Sequence, residues 1–226
     1  MKVLSDTLDA ADSRQVTLLG LLDLSATFDT VYHDILLVHL ETSFGISGYV
    51  PLLVCLKLFL SDRQQAVSLN GVTSALRSVM CSVPQGSVLR PLLFILYTAD
   101  VVLIAQRHHV AVHSYADNTQ LYASCSATDG LTSAAQLLRC ITDIVDWMTS
   151  NRLTLNAKKT QFIWLSLSHY TASVSHLPLS VGGSTVFPDD TVLNLGMTFD
   201  VQLTVRNHVD MMPSCFFQLH QLCSVR

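Results

Sequence analysis

Apolar and polar positions along this chain follow two rhythms, and they alternate. Residues 16–22, "VTLLGLL", form a nearly unbroken apolar run that stops at Asp23. Such a short run suits a strand buried on both faces. In "HDILLVHLETSFGIS" Ile35, Leu36, Val38, His39 and Leu40 group as on a helix that ends near Gly45. "VPLLVCLKLFLSDRQQ" predicts a second helix, closed by Ser61 and Asp62. "QAVSLNGVTSALRSV" alternates and turns at Asn70-Gly71, a hairpin signal.

"VPQGSVLRPLLFILYTADVVLIA" predicts a loop followed by one buried helix from about Pro91. Residues 111–124 alternate as a hairpin would, with the turn at Asp117-Asn118. Both residues of that pair tolerate positive φ better than most. Residues 132–153 predict an amphipathic helix, with Ala135, Leu138, Ile141, Ile144, Val145 and Met148 on its apolar face. "LTLNAKKTQFIWLSL" predicts strand, turn and strand. Residues 179–200 predict further short strands punctuated by Gly182-Gly183. Val205 to Cys223 predict a helix interrupted at Pro213. Hairpins mixed with helices make the fold class α+β.

Composition adds bounds. Half of the 226 residues are apolar and 13% are charged, enough to fill a core. The net charge of −4 points away from a uniformly basic nucleic-acid binder, although it says nothing of local patches. Residues 44–60 carry Pro51, Lys57 and two glycines, and residues 91–105 are broken by Asp100. Both are expected to be buried elements, with no membrane partner. The first fifteen residues hold acids and no apolar run, so no signal peptide is expected there. The six cysteines, Cys55, Cys81, Cys125, Cys140, Cys215 and Cys223, form no C-x-x-C and no zinc-finger spacing. They are expected to be reduced, mostly buried thiols of an intracellular protein. His108, His109 and His113 are expected at exposed or turn positions.

Four stretches taken together carry chemistry: "LLDLSATFD" (21–29), "VPQGSVLRP" (83–91), "SYADNTQLY" (114–122) and "NRLTLNAKKTQF" (151–162). In order and separation they resemble the motifs of reverse transcriptases of the non-LTR retrotransposon type. "LGMTFD" (195–200) resembles the element that follows them. The resemblance covers nearly the whole chain. It implies a right-hand polymerase palm of antiparallel strands backed by helices. Residues 1–200 would be palm with partial fingers, and 201–226 a helical segment at the start of a thumb.

The resemblance also assigns roles. Asp23 and Asp117 match the two metal-binding carboxylates, for Mg²⁺ or alternatively Mn²⁺, and Asn118 stands beside them. Lys158 or Lys159 matches a lysine that protonates or neutralises the leaving diphosphate. Phe28 matches the aromatic that screens against a 2′-hydroxyl, and Tyr115 belongs to the Tyr-Ala-Asp-Asn box. Pro84, Gln85 and Gly86 match a loop contacting template and nucleotide. The implied partners are an RNA template, a DNA primer and deoxynucleoside triphosphates.

Three positions depart from the pattern. Asn118 replaces the second acid of the box, Arg90 replaces a glycine, and Tyr32 replaces an acid. With these departures, a non-catalytic remnant that binds nucleic acid or protein weakly is the alternative expectation.

Overall fold

The structure, a computed structural model, describes residues 2–25, 28–46, 51–84, 86–116, 118–166, 178–181, 183–204 and 209. Helix α1 (Lys2–Asp12) leads into strand β1 (Val16–Leu22) and the short β2 (Leu24–Ser25). Helices α2 (His33–Thr42) and α3 (Pro51–Leu60) follow. An arm of four two-residue strands comes next: β3 (Gln64–Gln65), β4 (Ser68–Leu69), β5 (Val72–Thr73) and β6 (Arg77–Ser78). Asn70 at φ 51° and Gly71 at φ 82° turn the arm, as their sequence predicts.

Helices α4 (Leu89–Tyr97) and α5 (Asp100–Arg107) precede the hairpin β7 (Ala111–Tyr115) and β8 (Asn118–Cys125). Helix α6 (Gly130–Ser150), β9 (Thr154–Leu155) and β10 (Gln161–Leu165) complete the centre. Two small hairpins close the described chain: β11 (Leu179–Val181) with β12 (Ser184–Val186), and β13 (Thr191–Asn194) with β14 (Met197–Asp200).

The central sheet is antiparallel, in the order β10-β1-β8-β7. β1 pairs with both neighbours and is covered on both faces, which is why its sequence is apolar but for Thr17, whose hydroxyl shares a 2.8 Å hydrogen bond with Ser124. Alternation then sorts its side chains. Val16, Leu18 and Leu22 join Leu121, Phe162 and Trp164 in the larger core, against α4, α5 and α6. Leu19 joins Tyr122, Ile163 and Leu165 in a smaller core, covered by Val3 of α1 and by Val192 and Phe199 of the last hairpin. Asp23 has the parity of Leu19. It therefore belongs to the face turned away from the helical layer.

α6 buries Ser133, Ala134, Leu137, Cys140, Ile141, Ile144 and Met148, a stripe at helical spacing. The face predicted from sequence is rotated relative to this one. Ala135 is exposed, while Leu138 and Val145 flank the stripe half-buried. The helix predicted from Pro91 is two helices, because the chain breaks at Thr98 and Ala99. Pro91 sits in the first turn of α4, where its missing N–H costs nothing. By length and composition Leu89–Arg107 could cross a membrane. Its Leu93, Phe94, Tyr97, Val101, Ile104 and Ala105 nevertheless fill the larger core, the work of a core helix.

Of the four described cysteines only Cys140 is buried; Cys55 is exposed, and Cys81 and Cys125 are intermediate. The expectation of mostly buried thiols is corrected accordingly. Cys55 lies on the outer side of α3, away from the buried Leu53 and Leu56. His108 and His109 lie at the turn after α5, where His108 bonds Asp143 at 2.7 Å. The helix expected over 205–223 lies outside the described residues, Val209 excepted.

α1, which no motif announced, packs Val3 on the sheet and is also tied to it by a hydrogen bond. The Tyr122 hydroxyl donates to Asp6 Oδ2 at 2.5 Å, and Lys2 Nζ lies 2.8 Å from the same oxygen. Lys2 first and Tyr122 second hold the Asp6 carboxyl below its usual pKa. Burial, and then the Asp6 bond, push the Tyr122 phenol well up. Tyr122→Phe is expected to cost about 1 kcal/mol in urea unfolding, the low end for a bond to a charged group because Asp6 is partly in water. Because Asp6 has a lowered pKa, its contribution is complete above the ordinary aspartate range. It is lost as pH falls through that lowered value. The gap between the native chain and Tyr122→Phe should narrow in acid, and Asp6→Asn should abolish that pH dependence.

Candidate active site

Where β1 ends, its neighbours define a cleft of about 420 Å³. Leu21, Leu22 and Asp23 come from β1 and its end. Asn118, Thr119 and Gln120 come from β8, Lys158 and Lys159 from the turn before β10, Gln161 from β10, and Leu193 and Asn194 from β13.

The register explains the assembly. Leu22 with Thr119 is the last register pair, and Asn118 and Asp23 lie just beyond it. Leu21 pairs with Gln120 on one side and Gln161 on the other. A single row across three strands thus presents two carboxamides beside the acid. The lysines arrive by a different device. The Asn156 amide donates to the Asp23 carbonyl at 2.8 Å, and β9 pairs with β2 through Leu155 and Leu24. The turn then closes on itself, with Lys159 and Thr160 amides both donating to the Asn156 carbonyl at 3.0 Å. The base of the lysine turn is therefore fastened to the backbone of the acid. Both lysines line the cleft, and Lys159 Nζ stands 3.9 Å from Asp23 Oδ2.

The hairpin turn is displaced by one residue from the sequence expectation. Tyr115 pairs with Asn118, which leaves Ala116 and Asp117 as the two connecting residues, with Ala116 at φ 53°. Asn118 is consequently the first strand residue and not a turn residue. Asp117 itself lies outside the described residues, as does Gln85. Tyr115 is 63% exposed on the edge strand and does not line the cleft.

The remaining predicted residues form a second group around α4. Phe28 packs on Phe94, with ring centroids 5.2 Å apart. The Arg90 guanidinium carbon lies 4.6 Å from the Phe28 ring centroid, and Arg90 Nη2 is 3.4 Å from Asp29 Oδ1. Arg90 Nε is buried without a hydrogen-bond partner among the described residues. The substituted arginine therefore covers the aromatic instead of reaching into solvent. Pro84 and Gly86 lie in the loop before α4, Gly86 at φ 80°, a conformation suited to glycine. Tyr32 caps α2 without a side-chain bond, and its ring lies 6.0 Å from the Arg152 guanidinium carbon.

Sequence reading missed Gln120, Gln161 and Asn194. Gln120 Nε2 donates to Asn194 Oδ1 at 2.7 Å in a buried bond that fastens the last hairpin to β8. The available signal was a polar residue inside an otherwise apolar strand, since a buried amide requires a partner.

An antiparallel sheet backed by helices, with an acid at the end of its central strand and a tight hairpin beside it, is the palm of a right-hand polymerase. The chain belongs to the reverse transcriptase (RNA-dependent DNA polymerase) family: residues 1–199 match that family's model. It is 26% identical over 220 residues to the RNA-directed DNA polymerase from mobile element jockey of Drosophila melanogaster. It is 29% identical over 224 residues to the probable RNA-directed DNA polymerase from transposon BS of the same species. Each match covers 95% of this chain, but only 23% and 24% of those proteins. Its fold is shared with apo telomerase from Candida tropicalis truncated from the C-terminal domain, at TM-score 0.60 and 13% identity, covering 89% of this chain and 39% of that one.

Proposed function

We propose that this chain is the palm, with partial fingers, of an RNA-directed DNA polymerase that extends a primer 3′-hydroxyl with deoxynucleotides on an RNA template. Residues 1–200 form that unit, and 201–226 begin a thumb. The observation that carries the reading is Asp23, held at the end of a rigid central strand in an open cleft with lysines across from it.

Reverse transcriptases use divalent metal ions, and the donor chemistry here suits Mg²⁺. Among the described residues no cluster of three or more His, Cys, Asp or Glu could hold a metal. Mg²⁺, however, accepts one or two carboxylates and takes its remaining oxygens from substrate phosphates and water. Asp23, Asp117 and the Asn118 carbonyl would hold it. When bound, the ion supplies a more acidic primer hydroxyl and neutralises charge on the leaving diphosphate.

The chain's own residues do the rest. Lys158 and Lys159 place positive charge where the diphosphate departs. Phe28, fixed between Phe94 and Arg90, would form the wall that meets the sugar, and the roles of Pro84, Gln85, Gly86 and Tyr115 toward template and nucleotide rest on the family resemblance alone.

A second reading, a non-catalytic remnant, is favoured by Asn118 and by Arg90 lying across Phe28. Primer extension on an RNA template, with Mg²⁺ and separately with Mn²⁺, separates the two. The polymerase reading expects extension by the native chain and a loss of about 10²-fold or more in Asp23→Asn, the scale of removing an electrostatic group from a reacting centre. Silence from soluble, folded native chain would select the remnant.

A further inference from the structure

Two surfaces of this chain have no counterpart within the fold, and they are opposite in charge. The first is the arm β3–β6. Its strands pair only with one another, in two separate two-stranded ladders. Val67, Leu69, Val72, Leu76 and Met80 are exposed, and none of them joins either core. Two-stranded ribbons are marginal in water by themselves, so whatever covers this arm also stabilises it. At the tip Leu69 and Val72 are cross-strand partners, which puts them on one face of the ribbon, 72% and 74% exposed. Residues 63–80 contain Arg63, Arg77 and no acid; Asp62 precedes them.

The second surface is a groove of about 520 Å³ between α5 and α6. Its apolar lining is Leu103, Ile104 and Trp147, and Leu103 is largely exposed. Three carboxylates, Asp100, Asp143 and Asp146, stand around it against one guanidinium, Arg107. His108 bonds Asp143 at 2.7 Å and Ser43 reaches Asp100 at 3.5 Å, while the Asp146 carboxylate has no partner among the described residues. The groove belongs to the helical layer and shares no lining residue with the cleft around Asp23.

Each surface rejects its own kind. Arm against arm brings arginines together, and groove against groove sets aspartates face to face. A nucleic-acid backbone suits the arginines but offers nothing apolar to Leu69 and Val72, and the aspartates repel it from the groove. Arm and groove suit each other, an apolar pair for an apolar floor and arginines for aspartates.

We propose that the arm of one copy of this chain docks in the α5–α6 groove of a second copy. Each copy offers one arm and one groove, so two copies exchange arms reciprocally or further copies add head to tail. The inference goes beyond the polymerase reading and does not depend on it.

Sedimentation equilibrium of the full chain at low salt, over about 1–100 μM, tests it. The average mass of the native chain should rise with concentration, and added salt should weaken the association severalfold. Leu69→Ser with Val72→Ser blunts the arm; Leu103→Ser with Asp146→Lys blocks the groove. All four side chains are exposed, so the fold is kept. Each doubly substituted chain alone should associate at least about tenfold more weakly than the native chain. An equimolar mixture of the two should recover a one-to-one pair, joined by the intact arm of one and the intact groove of the other. A native chain that stays a single copy throughout, a groove variant that associates as the native chain does, or a mixture that recovers nothing would each overturn the proposal. So would an arm variant that loses binding to single-stranded RNA while the native chain stays a single copy, which would assign the arm to nucleic acid.

Discussion

Gly20→Val is expected to cost more than about 3 kcal/mol, enough to leave the chain largely unfolded or insoluble. A Cβ at Gly20 would stand 2.8 Å from Phe162 Cε1 and 3.2 Å from Cδ1. The Phe162 ring is fully buried, so it has no solvent into which to swing. Gly20 lies in the middle of β1, registered against Phe162 on one side and Leu121 on the other. Strand propensity argues the opposite way, since valine suits a strand better than glycine by at most about 1 kcal/mol. Overpacking in a closed core is the larger effect, typically about 1–3 kcal/mol for small insertions, and valine adds three carbons. Gly20→Ala should fall in that lower range. Pairing Gly20→Ala with Phe162→Leu should recover part of the loss, because the shorter side chain vacates the ring edge. Urea unfolding of the three variants reads this directly. A Gly20→Val chain with the native midpoint would show that Phe162 does not occupy the space over Gly20.

Asn118→Asp is expected to raise the affinity for Mn²⁺, measured by the loss of its free-ion EPR signal, by about tenfold or more. Asn118 and Asp23 lie just beyond the last register pair, Leu22 with Thr119, and both line the cleft, so the added carboxylate would enter it. A unit charge pair at 4 Å is worth about 4 kcal/mol at an effective dielectric of 20, and about 1 kcal/mol in water. An open cleft lies between those limits. Repulsion between the added carboxylate and Asp23 is moderated by Lys158 and Lys159, so the fold should be kept. If the polymerase reading holds, the same change should raise primer extension in Mg²⁺. Unchanged Mn²⁺ affinity in a folded variant would place the metal away from this position.

How much of this was legible beforehand follows from what each signal depends on. β1 and the acid at its end were readable, because a seven-residue apolar run followed by Asp has one economical explanation. The Asn70-Gly71 turn was readable because it needs positive φ at two adjacent residues. The one-residue displacement of the β7–β8 hairpin was not. Ala116 takes a positive φ that its side chain does not favour, and the pairing of Tyr115 with Asn118 imposes it. The α4–α5 break was equally hidden, since both halves are apolar and no glycine or proline marks Thr98. Arg90 was noticed as a substitution, but its position over Phe28 depends on Phe94 and Asp29, which approach from elsewhere in the chain.

The sequence by itself determined the α+β class, the order of the main elements, the family and the residue types available for chemistry. These depend on local periodicity and on motifs that are short in sequence. Tertiary structure alone decided which of those residues share a cleft. Lys159 meets Asp23 across more than a hundred residues because β2 pairs with β9 and Asn156 bonds the Asp23 carbonyl. Gln120, Gln161 and Asn194 join them through strand register and one buried amide bond. Register and long-range hydrogen bonds are properties of paired segments, and no single segment carries them.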